Sequence, residues 1–101
     1  MAMSFVTSQP EMLISAAGNL QSIGGAMNAS NAAAIAPITG VVPAAADEVS
    51  ALTAAQFAAH GALYQAISEQ AAAIHEMFVT TLETSGGSYA ATEAANAIAA
   101  R

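Results

Sequence analysis

Few side chains in this sequence could do chemistry, and the histidines are the first to consider. The run His75-Glu76-Met77-Phe78-Val79 begins like the HExxH motif of zinc proteases, but Val79 stands where the second histidine ligand is needed. His60 is too far along the chain to replace that ligand, and no cysteine is present to supply a thiolate. A histidine on an apolar helix face is more often a packed side chain than a metal ligand, so we expect no metal site.

The carboxylates and the glycine-rich segment are equally poor catalytic candidates. Glu69, Glu76 and Glu83 recur every seventh residue, about two helical turns apart, which is too far to pair as general acid and base. The segment 86–90 lacks the last glycine of a nucleophile elbow, and no phosphate-binding loop occurs. The sequence therefore predicts no catalytic residue, no cofactor and no small-molecule substrate.

The composition narrows the possible partners. Hydrophobic residues make up 55% of the 101 residues, charged residues only 8%, and the net charge is −6. The single basic residue is Arg101, so neither nucleic acid nor an anionic membrane is an expected partner. A Sec signal peptide needs a basic start, which is missing here. The longest uncharged stretches are broken by polar residues, glycine and proline, so we expect no membrane span.

The first helix has a recognisable start. Ser8, Pro10 and Glu11 match a capping box, with Ser8 as the N-cap residue, proline in the first turn and Glu11 three residues after the serine. Because Pro37 disfavours helical geometry in the residue before it, the helix is predicted over about residues 9–36.

A short connection and a second, longer helix follow. Residues 37–43 hold two prolines around a glycine, which is typical of a turn between helices. The second helix is predicted over about 44–84, roughly 60 Å at 1.5 Å per residue. The glycine pair at 86 and 87 is expected to end it, leaving a tail over 85–101 that is either helical or disordered.

Apolar residues at spacings of three and four form rows along both predicted helices. In the first helix the row is Leu13, Ala16, Leu20, Ile23, Met27, Ser30 and Ala34. In the second helix one row is Phe57, His60, Tyr64, Ile67, Ala71, Ile74, Phe78 and Thr81, which we call row A. A neighbouring row, row B, is Leu52, Gln56, Ala59, Leu63, Ala66, Gln70, Ala73 and Met77.

Two apolar rows on one helix exceed what a two-helix hairpin can cover by itself. One row is expected to pack within the hairpin and the other to remain exposed, and monomers rarely leave such a strip in water. We therefore predict an all-α fold, an elongated antiparallel two-helix hairpin that forms half of a four-helix bundle with a partner protein. The expected interface residues are Leu20, Ile23, Met27, Leu52, Phe57, Leu63, Tyr64, Ile67, Ile74, Met77 and Phe78.

Tyr89 and Glu93 are the last candidates. If the tail is helical, they lie four residues apart on one face. The spacing alone is compatible with an exposed aromatic in a fraying tail or with a short recognition signal.

Several of these features, in this order, resemble the mycobacterial PE family. They are the opening Met3-Ser4-Phe5-Val6, the pair Pro10-Glu11, the stretch from Val42 to Ser50 and the Tyr89-x-x-x-Glu93 motif. The resemblance covers essentially the whole chain, about the length of the family's N-terminal domain. Many PE proteins continue into a long C-terminal domain, so the sequence is compatible with a short member or with the first domain of a longer one.

The resemblance implies a partner and an export route. It implies a heterodimer with a PPE-family protein, export by a type VII (ESX) secretion system, and a non-enzymatic protein that is secreted or on the cell surface without a Sec signal peptide. It makes Tyr89 and Glu93 the secretion signal and implies that an EspG-type chaperone binds the PPE partner. The alternative is a homodimeric helical structural protein of the cell envelope.

Overall fold

The computed structural model describes residues 6–100, and these form two helices. Helix α1 spans Pro10–Thr39 and helix α2 spans Glu48–Ala100, with no strand in the described part of the chain. The all-α class and the two-helix hairpin expected from the sequence are therefore confirmed. Arg101 and the first three residues of the motif Met3-Ser4-Phe5-Val6 lie outside the described residues.

Helix α1 begins where the proline predicts, but the capping box does not form. The N–H of Met12 donates to the carbonyl of Gln9 at 3.0 Å, which closes the first turn. Ser8 is turned elsewhere: its N–H and its hydroxyl both donate to the Oε1 atom of Glu93, at 2.9 and 3.0 Å. The predicted capping box of Ser8 with Glu11 is wrong, because the Ser8 N–H that Glu11 would accept is donated to Glu93 and the first turn closes on Gln9 instead.

The end of α1 lies three residues beyond the predicted one, so Pro37 is inside the helix. Proline removes one backbone hydrogen bond there, but the neighbouring bonds remain. The N–H of Gly40 donates to the carbonyl of Ala36 at 2.9 Å, and the hydroxyl of Thr39 donates to the carbonyl of Ile35. A proline so close to the C-terminus leaves enough of the last turn satisfied for the helix to continue.

Helix α2 has its own N-cap at Asp47, after a connection over residues 40–47. The carboxylate of Asp47 accepts the N–H of Ser50 at 3.4 Å, and its backbone carbonyl accepts the N–H of Ala51 at 3.1 Å. Hydrogen bonding from Ser50, chiefly from its side chain, lowers the pKa of Asp47 below the ordinary value. The helix therefore begins later than the predicted start near residue 44.

The C-terminal boundary predicted for α2 is also wrong, because the helix runs through Gly86 and Gly87 to Ala100. Neither glycine takes a positive φ, so neither forms a helix cap. Gly86 is buried, and a methyl group at its Cβ position would lie 2.7 Å from the Cγ1 atom of Ile14. Contact with α1 thus outweighs the weak helix propensity of the glycine pair. The predicted tail is helical over its described residues.

The hairpin divides into two compact units, and in each of them α1 and α2 run antiparallel. Unit 1 combines residues 6–23 with residues 75–100, and unit 2 is Gly24–Ile74. In unit 1 the His75 Nε2 atom is 2.6 Å from the carbonyl of Leu20. In unit 2 the Gln65 amide donates to the carbonyl of Asn31 at 3.3 Å.

Small residues form the helix–helix contact in both units. The buried apolar residues include Ala17, Ala54 and Val79, and no large side chain among residues 6–100 is fully buried. Gly24 and Gly61 are buried as well. Side chains of this size let helix backbones approach closely, which explains the contact but gives little hydrophobic stabilisation.

The row that packs within the hairpin is neither of the two predicted apolar rows. On α2 this row, which we call the small-residue row after its alanines, glycines and serine, has spacings of three and four: Ala54, Ala58, Gly61, Gln65, Ser68, Ala72, His75, Val79, Leu82 and Gly86. On α1 Ala17 and Gly24 are buried, whereas the predicted Ile23 and Met27 are exposed. The expectation that the hairpin covers row A or row B is therefore wrong, and the larger side chains of both rows stay exposed.

Candidate partner interface

The exposed side chains of unit 2 include most of the large apolar residues predicted as an interface. Those on α2 are exposed by 49% to 67% of their surface: Leu52, Phe57, Leu63, Tyr64, Ile67 and Ile74. Met27 adds an exposed side chain from α1. Because the contact between the helices is made by the small-residue row, rows A and B are left available for another protein.

The two sides of the unit 2 hairpin differ in chemistry. On one side, an open groove between the helices is lined by Pro37, Ile38, Phe57, His60 and Tyr64, together with Ala34, Val41 and Gly61. The opposite groove is lined by the polar residues Asn28, Asn31, Gln65, Ser68 and Glu69, together with Ala32, Ile35 and Ala72. The first groove has the more apolar lining, so a helix from a partner would bury more apolar area there than in the second.

Polar contacts fix the orientation of the aromatic residue at the centre of the apolar side. The hydroxyl of Tyr64 donates to the Oδ1 atom of Asn31 at 2.7 Å. The ring therefore keeps its hydroxyl satisfied while about half of its surface remains exposed. An aromatic side chain held in this way loses little conformational freedom when a partner covers it.

Unit 1 carries the remaining predicted interface residues. Ile23, Met77 and Phe78 are each more than half exposed. Leu20 is the exception: it is half-buried in the hairpin, and its carbonyl lies next to His75. The structure thus places Leu20 mainly within the chain's own packing and the other three side chains on the surface of unit 1.

Tyr89 and Glu93 lie one turn apart on α2 in unit 1. Tyr89 is 51% exposed. Glu93 is half-buried, and its Oε1 atom accepts both hydrogen bonds from Ser8. We call this contact the Ser8–Glu93 pair. It joins Ser8, two residues before the start of α1, to the last part of α2, so the segment leading into α1 is held against the end of α2.

The acidic and histidine side chains of residues 6–100 are dispersed along the chain. No three His, Asp or Glu side chains come close enough to hold a metal ion. Glu69, Glu76 and Glu83 are exposed, and each directly follows a residue of the small-residue row. Within the same residues, neither helix has a segment long and apolar enough to cross a membrane.

Two functional features escaped the reasoning from sequence. The small-residue row has a spacing of three and four from Ala54 to Gly86, but hydrophobic patterning favours larger side chains because alanine and glycine bury little area. The Ser8–Glu93 pair had no signal, because its members are 85 positions apart.

The fold and the surface together define a class: a helical hairpin whose own packing uses small side chains and whose large apolar side chains face outward. The model of the PE family matches residues 6–96. The chain belongs to the PE family, as the resemblance in its motifs indicated.

Similar proteins from Mycobacterium tuberculosis agree with this assignment. The chain is 69% identical to PE family protein PE13 over 98 residues, which cover 97% of this chain and 99% of that protein. It is 55% identical to PE family protein PE8 over 98 residues, 97% of this chain but 36% of PE8. It is 54% identical to the uncharacterized PE-PGRS family protein PE_PGRS20 over 94 residues, 93% of this chain and 20% of that protein. None of these names denotes an enzymatic activity.

Proposed function

We propose that the chain is a non-enzymatic secreted protein that forms a heterodimer with a PPE-family protein through a four-helix bundle. A type VII secretion system exports the pair, and Tyr89 and Glu93 act as the secretion signal. The observation that carries this proposal is the exposure of Phe57, Tyr64, Ile67 and their neighbours beside a hairpin contact whose buried side chains are mostly small.

The energetics of the hairpin favour a partner. The enclosed side chains of Ala17, Ala54 and Val79 contribute on the order of 3 kcal/mol by apolar burial, to which the half-buried leucines add. Covering the exposed aromatic and aliphatic side chains would add about 1.5–3 kcal/mol for each one fully buried.

Charge favours a different protein over a second copy of this chain. The net charge is −6 and no Lys or Arg occurs before Arg101, so two copies would bring like charges together along their exposed glutamates. The alternative, a homodimer, would be detected as a defined dimer when the chain is produced alone.

Co-expression with a cognate PPE-family protein tests the heterodimer. We expect a soluble complex of one copy of each chain by light scattering, and an unfolded or aggregated chain when it is produced alone. A folded, monodisperse monomer would argue against the proposal, and a defined dimer of the chain by itself would favour the homodimeric envelope protein.

The secretion signal needs a separate test in a mycobacterial host that carries the matching secretion system. We expect Tyr89→Ala to abolish export while the heterodimer still forms in the cytoplasm. Tyr64→Ala is the matched aromatic control, since it should weaken the heterodimer itself. Normal export of the Tyr89→Ala variant would remove the signal assignment and leave the heterodimer untouched.

A further inference from the structure

The acidic residue of the export motif already has a structural partner. Both hydrogen bonds of the Ser8–Glu93 pair, at 2.9 and 3.0 Å, end on the same carboxylate oxygen, and both residues are half-buried. No Lys or Arg precedes Arg101, so the chain offers this carboxylate no basic side chain within residues 6–100. Its favourable interaction there comes from the neutral N–H and hydroxyl donors of Ser8, in the segment that leads into α1.

We propose that Glu93 serves export as a positioning residue: its carboxylate holds Ser8 and so keeps the two ends of the hairpin together, while Tyr89 is the residue that the export machinery contacts. This inference rests on the proposed secretion function. The competing possibility is that the machinery reads the negative charge of Glu93 directly.

The position of the pair explains why such a contact would matter. Helix α2 must continue through Gly86 and Gly87, two residues of low helix propensity, before it reaches Tyr89. Gly86 is held against Ile14, but Gly87 has open space at its Cβ position. The hydrogen bonds at Glu93 fix the helix on the far side of Tyr89, so that the tyrosine is presented from an ordered helix.

The two roles of Glu93 respond differently to replacement. Glutamine keeps the side-chain length and an oxygen that can accept both donors of Ser8, but it has no charge. Leucine has a similar size and no acceptor. If Glu93 positions Ser8, Glu93→Gln should preserve export within about twofold, whereas Glu93→Leu should reduce it at least about tenfold, the loss expected for a hydrogen bond to a charged group. If the charge is read directly, both variants should lose export alike.

The experiment combines export with a direct measure of the contact. Export is measured for wild type, Glu93→Gln and Glu93→Leu, each co-expressed with the cognate PPE-family protein. Hydrogen exchange of the Ser8 amide is measured by NMR on the purified heterodimers. We expect exchange in the Glu93→Leu variant to be at least about fivefold faster than in wild type, and to be near wild type in Glu93→Gln. The matched controls are Glu83→Gln and Glu83→Leu, which alter an exposed glutamate of the same helix.

Each result bears on one proposal. Loss of export in Glu93→Gln with Ser8 still protected would overturn the positioning role and leave the secretion signal standing. Normal export in both Glu93 variants and in Tyr89→Ala would instead overturn the signal. An unprotected Ser8 amide in the wild-type heterodimer would overturn the positioning role whatever the export result.

Discussion

Replacing Phe57 tests the proposed interface, because the expected loss of affinity for the partner can be calculated from its exposure. Its side chain lines the apolar groove of unit 2 and is 63% exposed in the chain alone. Complete burial of a phenylalanine side chain contributes about 3 kcal/mol of free energy. A partner that covers the exposed part of Phe57 would therefore contribute roughly 2 kcal/mol to the binding free energy. Phe57→Ala should therefore weaken the heterodimer about 30-fold, because about 1.4 kcal/mol corresponds to a factor of ten.

The assay is the dissociation constant of the purified pair, measured by dilution with a fluorescent label on the partner. Glu69→Ala is the matched control, since Glu69 lies in the same unit and lines the polar groove on the opposite side. We expect the control to change the dissociation constant less than about threefold, as for an exposed charge. An unchanged constant for Phe57→Ala, or an equal loss for Glu69→Ala, would refute the assignment of the apolar side as the interface.

Three further predictions concern the hairpin itself, each measured by thermal unfolding of the heterodimer. Gly61→Ala should destabilise the heterodimer, because the added methyl group would overlap the backbone carbonyl of Ile38, and a backbone atom cannot move aside as the end of a side chain can. An unchanged melting temperature would contradict the close approach of the two helices at Gly61. Gly87→Ala should raise stability by up to about 1 kcal/mol, because nothing lies within 4 Å of the added methyl group and alanine favours the helix; a loss would indicate that the partner covers this position. Hydrogen bonding from Ser50 lowers the pKa of Asp47 in the folded chain. The ionised carboxylate therefore contributes fully to stability above the unfolded-state pKa near 3.8, and this contribution is lost as the pH falls through the lower pKa of the folded chain. Asp47→Asn, which caps without ionising, should remove that part of the acid dependence, and identical acid dependence in both proteins would show that the cap does not titrate as described.

The helices could be predicted from local residue patterns, but their ends could not. Pro10 marks the start of α1 because a proline is tolerated only in the first turn or where the lost bond matters little. Pro37 predicted an end of α1 near residue 36, because proline disfavours helical geometry in the residue before it. The helix continues to Thr39, since hydrogen bonds from Thr39 and Gly40 complete the last turn. Local helix propensity predicts a helix end at Gly86 and Gly87. It fails there because it does not take account of the contact between Gly86 and Ile14 of the other helix.

The sequence by itself determined that the chain is helical, and its apolar spacing predicted large side chains on more than one face of the second helix. These properties depend on composition and on spacing along a single helix, both of which are local. Only the tertiary structure decided which row of α2 meets α1. Close packing favoured the small residues from Ala54 to Gly86 over the larger Phe57 and Ile67, because backbones can approach only where side chains are short. The contact between Ser8 and Glu93 is likewise visible only in the tertiary structure, since no local sequence pattern relates residues so far apart along the chain.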